Sequence, residues 1–371
     1  MSSERCFLEL LKAGLWGTSP DLSLFDGKTD WEGILRIAEE QTVVGVVADG
    51  IALLPKDYHG ERRVMMLFFA RAMALEDENR KMNRFAPFLM SQLERQGVRS
   101  LLLKGQGVAT CYRQPLHRVV GDIDLLVPEE KEYRKAKRLM AKIATEEGED
   151  VGRKHAAFSY QGMAIEIHGD FLLSINRRCQ RNIEEWKRKR IGEEVRTVDD
   201  GVLKNTRLPS VQFDVVFIIA HLLNHLMGTG GVGLRQVSDW MMYVNRHFED
   251  IQMEELVSDL ELLGLTDYWK TIGAMAVHHL GFPKERMPLY ADEYTRKGGK
   301  LLEIIFYTGN FGARQKEKQL DGEANSILKK IVTLWGQVPV YARNFTVFPK
   351  DTIWCFASYL KSAIKRYQSE N

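Results

Sequence analysis

Short apolar segments between residues 97 and 168 constrain the fold most, because they interrupt a sequence whose pattern is otherwise helical. Val98 to Leu103 is a continuous apolar run that a Lys-Gly turn ends, which is typical of a buried strand. A second run, Asp122 to Val127, ends at Pro128. The sequence therefore predicts an α+β fold with a small mixed sheet covered by helices.

The rest of this region completes the predicted sheet and its cover. We predict a short helix over Gly107 to Arg113 and a longer, charged helix from Glu129 to about Glu147. Two further strands, His155 to Tyr160 and Met163 to His168, are joined by Gln161-Gly162, the two-residue connection that a tight hairpin requires.

Helix dominates on both sides of the sheet region. We expect Pro87 to kink or break a helix between Glu61 and Gln96, and one or two short strands between Val195 and Leu208. A chain of 371 residues is long enough for two or three domains. We predict a helical region at 1–96, a core at 97–208 and a helical domain at 209–371.

Charge and cysteine content exclude several classes of protein. The net charge of +2 gives no overall attraction to nucleic acid or to an anionic membrane, so we expect neither extended tracking of a nucleic acid nor a membrane partner. No run approaches the ~18 apolar residues that span a bilayer. The four cysteines form no C-x-x-C pair, and with no leader-like segment visible we expect a cytoplasmic protein.

Asp122 and Asp124 are the first candidate site residues. They stand two apart in an apolar strand, so both carboxylates lie on one face of the sheet. Two buried like charges repel, and a divalent cation such as Mg²⁺ supplies the missing positive charge through oxygen ligands. A solvated strand end would be the alternative, but the apolar residues around the two aspartates argue against it.

Glu166 and His168 repeat this spacing in a second strand. If the two strands are neighbours, Asp122, Asp124 and Glu166 converge into a site able to hold two metal ions and to support phosphoryl transfer. The alternatives are a hairpin glutamate facing water and a histidine that only donates a structural hydrogen bond.

Lys104 and Gly105 follow a strand and precede a predicted helix, a context in which the backbone approaches phosphate oxygens. Arg118 adds a candidate cationic contact with phosphate. The spacing of a P-loop is absent, and a plain strand-to-helix turn remains the alternative.

The order of these motifs resembles the DNA polymerase beta-like nucleotidyltransferase superfamily, and within it the bacterial family of uncharacterised nucleotidyltransferases. The similarity extends over roughly residues 5–250. It implies a magnesium- or manganese-dependent enzyme that transfers a nucleoside monophosphate from an NTP to an acceptor and releases pyrophosphate. In the superfamily the turn usually reads Gly-Ser or Gly-Gly, whereas here it reads Lys-Gly-Gln, so the serine contact with the triphosphate is missing.

The resemblance also implies residue roles. Asp122 and Asp124 would be metal ligands, Glu166 the third ligand and a base for the acceptor hydroxyl, and Lys104, Gly105 and Arg118 nucleotide contacts. The acceptor, whether a small molecule, a protein or an RNA end, is not identified by the sequence.

A polar cluster follows the sheet region and gives the candidate acceptor side. It comprises His168, His221, His225, Arg235 and Asp239. His221 and His225 are four positions apart and so share a helix face, as do Arg235 and Asp239. Buried links between helices and an ordinary Arg-Asp ion pair are the alternatives. For the whole chain, the rival interpretation is a non-catalytic nucleotide-sensing or interaction module that retains the fold.

Overall fold

The structure is a computed structural model that describes residues 3–193, 195–198, 201, 203–228, 231–310 and 338–369. Helices account for most of these residues. Their bounds are α1 (Ser3–Trp16), α2 (Trp31–Glu40), α3 (Val44–Ala52), α4 (Arg62–Arg95), α5 (Gly105–Ala109), α6 (Glu130–Ile143), α7 (Arg177–Arg190), α8 (Val211–Met227), α9 (Leu234–Arg246), α10 (Met253–Leu263), α11 (Thr266–Leu280), α12 (Thr295–Thr308) and α13 (Pro349–Ser369).

The strands form one sheet of five and a separate pair. Their bounds are β1 (Leu101–Leu103), β2 (Ile123–Leu126), β3 (Glu146–Asp150), β4 (Ala156–Tyr160), β5 (Met163–His168), β6 (Arg196–Thr197) and β7 (Arg207–Leu208). The main sheet has the order β1-β2-β5-β4-β3, in which only β2 and β5 run parallel, while β6 pairs with β7. The prediction of an α+β fold with a small mixed sheet is confirmed.

The sheet is buried because helices cover its apolar residues. Tyr133, Ala136 and Met140 of α6 join a core with Ile123, Leu125 and other residues of β2, β4 and β5. The second half of α4 contributes Met82, Ala86, Leu89, Met90 and Leu93 to the same core. The strands on which the candidate site depends are thus held by a helix that precedes the sheet in the sequence.

Several predicted element bounds differ from the structure, and the short helix predicted over Gly107 to Arg113 lies at Gly105–Ala109. Of the kink or break expected at Pro87, the break does not occur: α4 continues through the proline, because its apolar stripe packs on both sides of Pro87 and compensates for the lost hydrogen bond. The helix predicted to reach Glu147 ends at Ile143, and Glu146–Asp150 form an edge strand instead. All five residues of this strand are exposed, so no apolar alternation marked it in the sequence.

The hairpin prediction is confirmed in detail. Gln161 and Gly162 both have positive φ, at 50° and 77°, as the two central residues of a type I′ turn require. All five residues of β4 consequently pair antiparallel with residues 163–167 of β5, and β5 lies between β4 and β2.

The N-terminal and C-terminal helices pack in one large apolar core. Phe7 of α1 contacts Phe306 of α12 edge-on, and Trp16 Nε1 donates a hydrogen bond to Leu280 O of α11 at 2.7 Å. The division into regions 1–96, 97–208 and 209–371 stays a prediction, because shared packing does not establish which regions fold alone. Among the described helices, none combines the length and apolar character needed to cross a bilayer.

Candidate active site

The site starts from the parallel pairing of β2 and β5. The register sets Asp124 beside Glu166 and Leu126 beside His168. The strand adjacency that the sequence analysis required is therefore present. Asp122 immediately precedes β2 and lines the same cavity as the other two carboxylates.

Asp124 is a buried carboxylate with two cationic partners. Its side chain is 2% exposed, Lys104 Nζ lies 3.1 Å from Oδ2, and His168 Nε2 lies 2.8 Å from Oδ1. Burial alone would raise the pKa of Asp124, but Lys104 and His168 outweigh it and hold the pKa well below the usual range. Asp124 is thus ionised, with one cationic partner on each carboxylate oxygen.

His168 links the two strands electrostatically. Its Nε2 is 3.4 Å from Glu166 Oε2, and its Nδ1 donates to Lys154 O at 3.1 Å. Burial would lower the pKa of His168, yet the hydrogen bonds to Asp124 and Glu166 raise it to about 9. The hydrogen bond from His168 in turn lowers the pKa of Glu166, so this carboxylate is also ionised.

These three residues form a candidate metal centre. Ligand atoms of Asp124, Glu166 and His168 all lie within 4.8 Å of one another. Burial, and then the charge of Asp124, raises the pKa of Asp122, which indicates that its carboxylate lacks sufficient positive charge nearby. A divalent cation with oxygen ligands would supply that charge, so the residues present fit one. The sequence analysis named Asp122, Asp124 and Glu166 as the ligands, and this assignment stays a prediction. His168 belongs to the geometric cluster, but its protonated ring donates from both nitrogens and therefore serves as a partner of the carboxylates.

Lys104 occupies a strained turn between β1 and α5. Its φ and ψ are 49° and −137°, a conformation that non-glycine residues rarely adopt, and Gly105 follows with φ 41°. Strain of this kind is on the order of 1–3 kcal/mol and clusters at functional sites. Gln106 turns away from the cavity to donate to Asn79 and Asn83 of α4. The turn therefore presents a lysine and backbone to the cavity and no hydroxyl.

Arg118 is held firmly by α9. It is 4% exposed, its Nε and Nη2 donate to the two carboxylate oxygens of Asp239 at 2.7 and 2.8 Å, and Tyr112 OH donates to Asp239 at 2.7 Å. Asp239 is thus paired with Arg118 and not with Arg235, although the sequence had favoured an Arg235–Asp239 pair as the structural alternative. The sequence analysis missed Tyr112 as a partner of Asp239, because nothing in its local pattern signals a partner 127 positions away.

Arg235 makes fewer hydrogen bonds than Arg118 within the described part of the chain. Its Nη1 donates to Val119 O at 3.3 Å, and its buried Nε has no hydrogen-bond partner within the described part of the chain. Burial, and then the nearby Arg118, lowers the pKa of Arg235. A buried guanidinium beside another guanidinium is stabilised by an anion.

His221 and His225 of α8 lie beside Lys104. Lys104 Nζ is 3.3 Å from His221 Nε2, which is itself 3.1 Å from His225 Nε2. Burial and Lys104 lower the pKa of both rings, to about 4 for His225. Both imidazoles are therefore neutral near pH 7 and offer hydrogen-bonding nitrogens rather than charge.

All the candidate residues line one cavity of about 270 Å³, although their proposed roles differ. They are Lys104, Gly105, Arg118, Asp122, Asp124, Glu166, His168, His221, His225, Arg235 and Asp239. A second cavity of about 540 Å³ adjoins it, and the two share five lining residues. The shared residues are Lys104, Glu166, His168, His221 and His225.

Comparison with known proteins identifies a family. A family model described as an uncharacterised nucleotidyltransferase covers residues 27–281, which include the whole sheet and every candidate residue. No curated protein and no solved structure matches the chain.

Proposed function

The chain belongs to the uncharacterised nucleotidyltransferase family, and on that basis we propose that it transfers a nucleoside monophosphate from an NTP to an acceptor with the help of a divalent metal. The observation that carries the proposal is the pairing of Asp124 with Glu166 across parallel strands, with Asp122 and Lys104 lining the same cavity. In this reaction an acceptor oxygen attacks the α-phosphorus, the bond to the β-phosphate oxygen breaks, and pyrophosphate leaves.

Asp122, Asp124 and Glu166 are the proposed metal ligands, with His168 oriented by two of them. Bound Mg²⁺ or Mn²⁺ would neutralise the charge that develops on the phosphoryl oxygens. The protein's own part is to keep Asp124 and Glu166 ionised, which the contacts with Lys104 and His168 support.

The triphosphate is proposed to bind beside Lys104, Gly105 and the two arginines. Arg118 donates to Asp239 through two nitrogens, so we assign it the role of fixing the cavity wall. Its remaining N–H groups could still contact the phosphate. Arg235 keeps a buried donor with no partner in the described chain, which favours it over Arg118 as the direct phosphate contact. The sequence analysis had instead given the phosphate contact to Arg118 and had placed Arg235 on the acceptor side.

The acceptor is proposed to enter through the second cavity. Glu166 borders both cavities, so an acceptor hydroxyl in the second one would meet both the base and the α-phosphate. His168, His221 and His225 border both cavities as well, which supports their place on the acceptor side. Arg235 and Asp239 line only the first cavity. The acceptor class remains open among a small molecule, a protein side chain and an RNA end.

The cytoplasm is the proposed compartment. The four cysteines Cys6, Cys111, Cys179 and Cys355 are all free thiols, as expected where thiols are kept reduced.

One observation favours the non-catalytic alternative. Lys104 and His168 already neutralise Asp124 without any metal, as they would in a module that senses nucleotides but transfers nothing. Lys104→Ala separates the two functions. In a sensor, this substitution would abolish nucleotide binding, and no transfer would be seen before or after it. In an enzyme, metal-dependent transfer would remain, with a raised KM for NTP.

The decisive experiment supplies each NTP labelled at the α-phosphate, with Mg²⁺ or Mn²⁺ and a cell extract as the source of acceptors. We expect label in one acceptor species and release of unlabelled pyrophosphate. Binding of NTP without any transfer of label would contradict the enzymatic proposal and favour the sensor. The Asp122→Asn, Asp124→Asn double variant is the control for contaminating transferases.

A further inference from the structure

One face of the first half of α4 is apolar and exposed. Met66, Leu67, Phe69 and Met73 are 60%, 40%, 39% and 68% exposed, and the small residue Ala70 lies among them. Positions 66, 69 and 73 follow the spacing of three and four that aligns side chains along one helix face. Large apolar side chains clustered on a surface in this way mark an interaction site.

Opposite charges flank this apolar face at its two ends. Arg62 and Arg63 are exposed before it, and Asp77 and Glu78 are exposed after it. Neither arginine has an ion-pair partner among the residues that the structure describes, and Asp77 is 74% exposed despite a contact with Arg80. The order along the helix is therefore basic, apolar and acidic.

We propose that this face binds a second copy of the same chain, with the two α4 helices antiparallel. A two-fold axis between Phe69 and Ala70 sets Met66 opposite the second copy's Met73 and Arg62 opposite the second copy's Asp77. Both pairings occur twice, as an isologous interface requires. The spacing of three and four is also that of the apolar seam between paired helices.

The charge order decides between a second copy and a membrane surface. An anionic bilayer would attract Arg62 and Arg63 but repel Asp77 and Glu78 on the same face. A second antiparallel copy complements both ends at once. This inference does not depend on the proposed function, because no residue of the two cavities takes part.

The test is the mass of the full-length chain in solution, measured by sedimentation velocity over a range of protein concentrations. We expect a reversible dimer with a dissociation constant in the micromolar range, because the exposed apolar face is small. Met73→Glu should raise the dissociation constant about 100-fold or more, because the two-fold axis introduces the buried charge twice. Ile353→Glu, at an apolar position on α13 that is 60% exposed against 68% for Met73, is the matched control and should leave the dimer intact.

Charge reversal tests the antiparallel register. Arg62→Asp alone should weaken the dimer because it sets two acidic side chains opposite each other across the axis. Asp77→Arg alone should weaken it because it sets two arginines opposite each other. The Arg62→Asp, Asp77→Arg double variant should restore it, while circular dichroism verifies that each variant folds. A chain that is monomeric at every concentration overturns the proposal, as does failure of the double variant to recover the dimer or binding of the monomer to phosphatidylserine vesicles.

Discussion

At the scale of single residues, Asp122 and Asp124 are chemically alike but differ in their surroundings. Asp124 is satisfied by Lys104 and His168, whereas Asp122 has a raised pKa because it is buried near other carboxylates. We expect Asp122→Asn to leave the melting temperature unchanged or higher, and Asp124→Asn to lower it, because it leaves two cations without their partner.

Both substitutions should reduce nucleotidyl transfer on the order of 100-fold or more, since each removes a proposed metal ligand. Thermal melting and transfer assays on the same preparations separate the two effects. Full transfer by either variant would contradict the metal-ligand assignment.

Arg235 carries a second prediction at this scale. Arg235→Ala should raise the dissociation constant for NTP by about 10-fold or more, because a buried, charge-assisted contact with phosphate is lost. Acceptor affinity should change little. Equilibrium binding of each NTP measures the first effect, and the dependence of transfer rate on acceptor concentration measures the second. The opposite pattern would return Arg235 to the acceptor side.

The carboxylates could be predicted from sequence because their two-residue spacing and apolar neighbours are local signals. The partner of Asp239 could not, since Arg118 lies 121 positions away and Arg235 offered a nearer, equally charged choice. Likewise, only the fold reveals that Gln106 turns toward α4 and leaves Lys104 to face the cavity.

At the scale of elements, α1 and α3 approach so closely that glycine is required between them. A Cβ on Gly50 would lie 2.0 Å from Leu10 O, whereas a Cβ on Gly27 would meet nothing within 4 Å. We expect Gly50→Ala to lower the free energy of unfolding by about 1–3 kcal/mol or more through overpacking. Gly27→Ala should change it by less than about 0.5 kcal/mol. Chemical denaturation of both variants makes the comparison, and equal stabilities would contradict the close helix crossing.

The small β6–β7 hairpin is joined to α8 by a partly buried contact between Arg196 and Asp214, and this contact responds to pH. Arg196 Nη2 donates to Asp214 Oδ2 at 2.8 Å, and burial raises the pKa of Asp214 to about 7. The ordinary value is 3.8, so between these pH values the folded chain holds a proton that the unfolded chain has lost. The contribution of Asp214 to stability therefore falls as pH rises through this window, and the loss is complete above about 7.

Asp214→Asn removes this titration. The variant should lose less unfolding free energy than the wild type between about pH 5 and pH 8, as measured by denaturation at both pH values. Identical pH dependence in the two proteins would mean that Asp214 remains ionised throughout the window.

Elements were predictable where a pattern existed. The β4–β5 hairpin was marked by Gln161-Gly162, but β3 was not, because all of its residues are polar or glycine and exposed. Pro87 is a residue type that normally interrupts a helix, but tertiary packing keeps α4 continuous through it.

At the scale of the whole molecule, the sheet depends on residues outside 97–208. Met82, Leu89 and Leu93 of α4 belong to its core, so the fragment 97–208 would expose that apolar surface. We expect this fragment alone to show no cooperative melting by circular dichroism and to bind a hydrophobic dye. Cooperative melting of the isolated fragment would contradict this view and support the predicted boundary at residue 97.

The overall architecture was predictable as a sheet among helices, because strand and helix periodicities differ. The joint core of the N-terminal and C-terminal helices was not, since a contact such as Phe7 with Phe306 leaves no local trace in the sequence.

The parallel pairing of β2 and β5 also sets the order of events during folding. Parallel neighbours cannot be joined by a tight turn, and here α6, β3 and β4 intervene, so Asp124 meets His168 across 44 positions of chain. The β4–β5 hairpin is local and closes fast, whereas its docking against β2 must first overcome the entropy of closing a long loop. We therefore expect helical signal and hairpin contacts to return early on refolding, and the contact between Asp124 and His168 to return last.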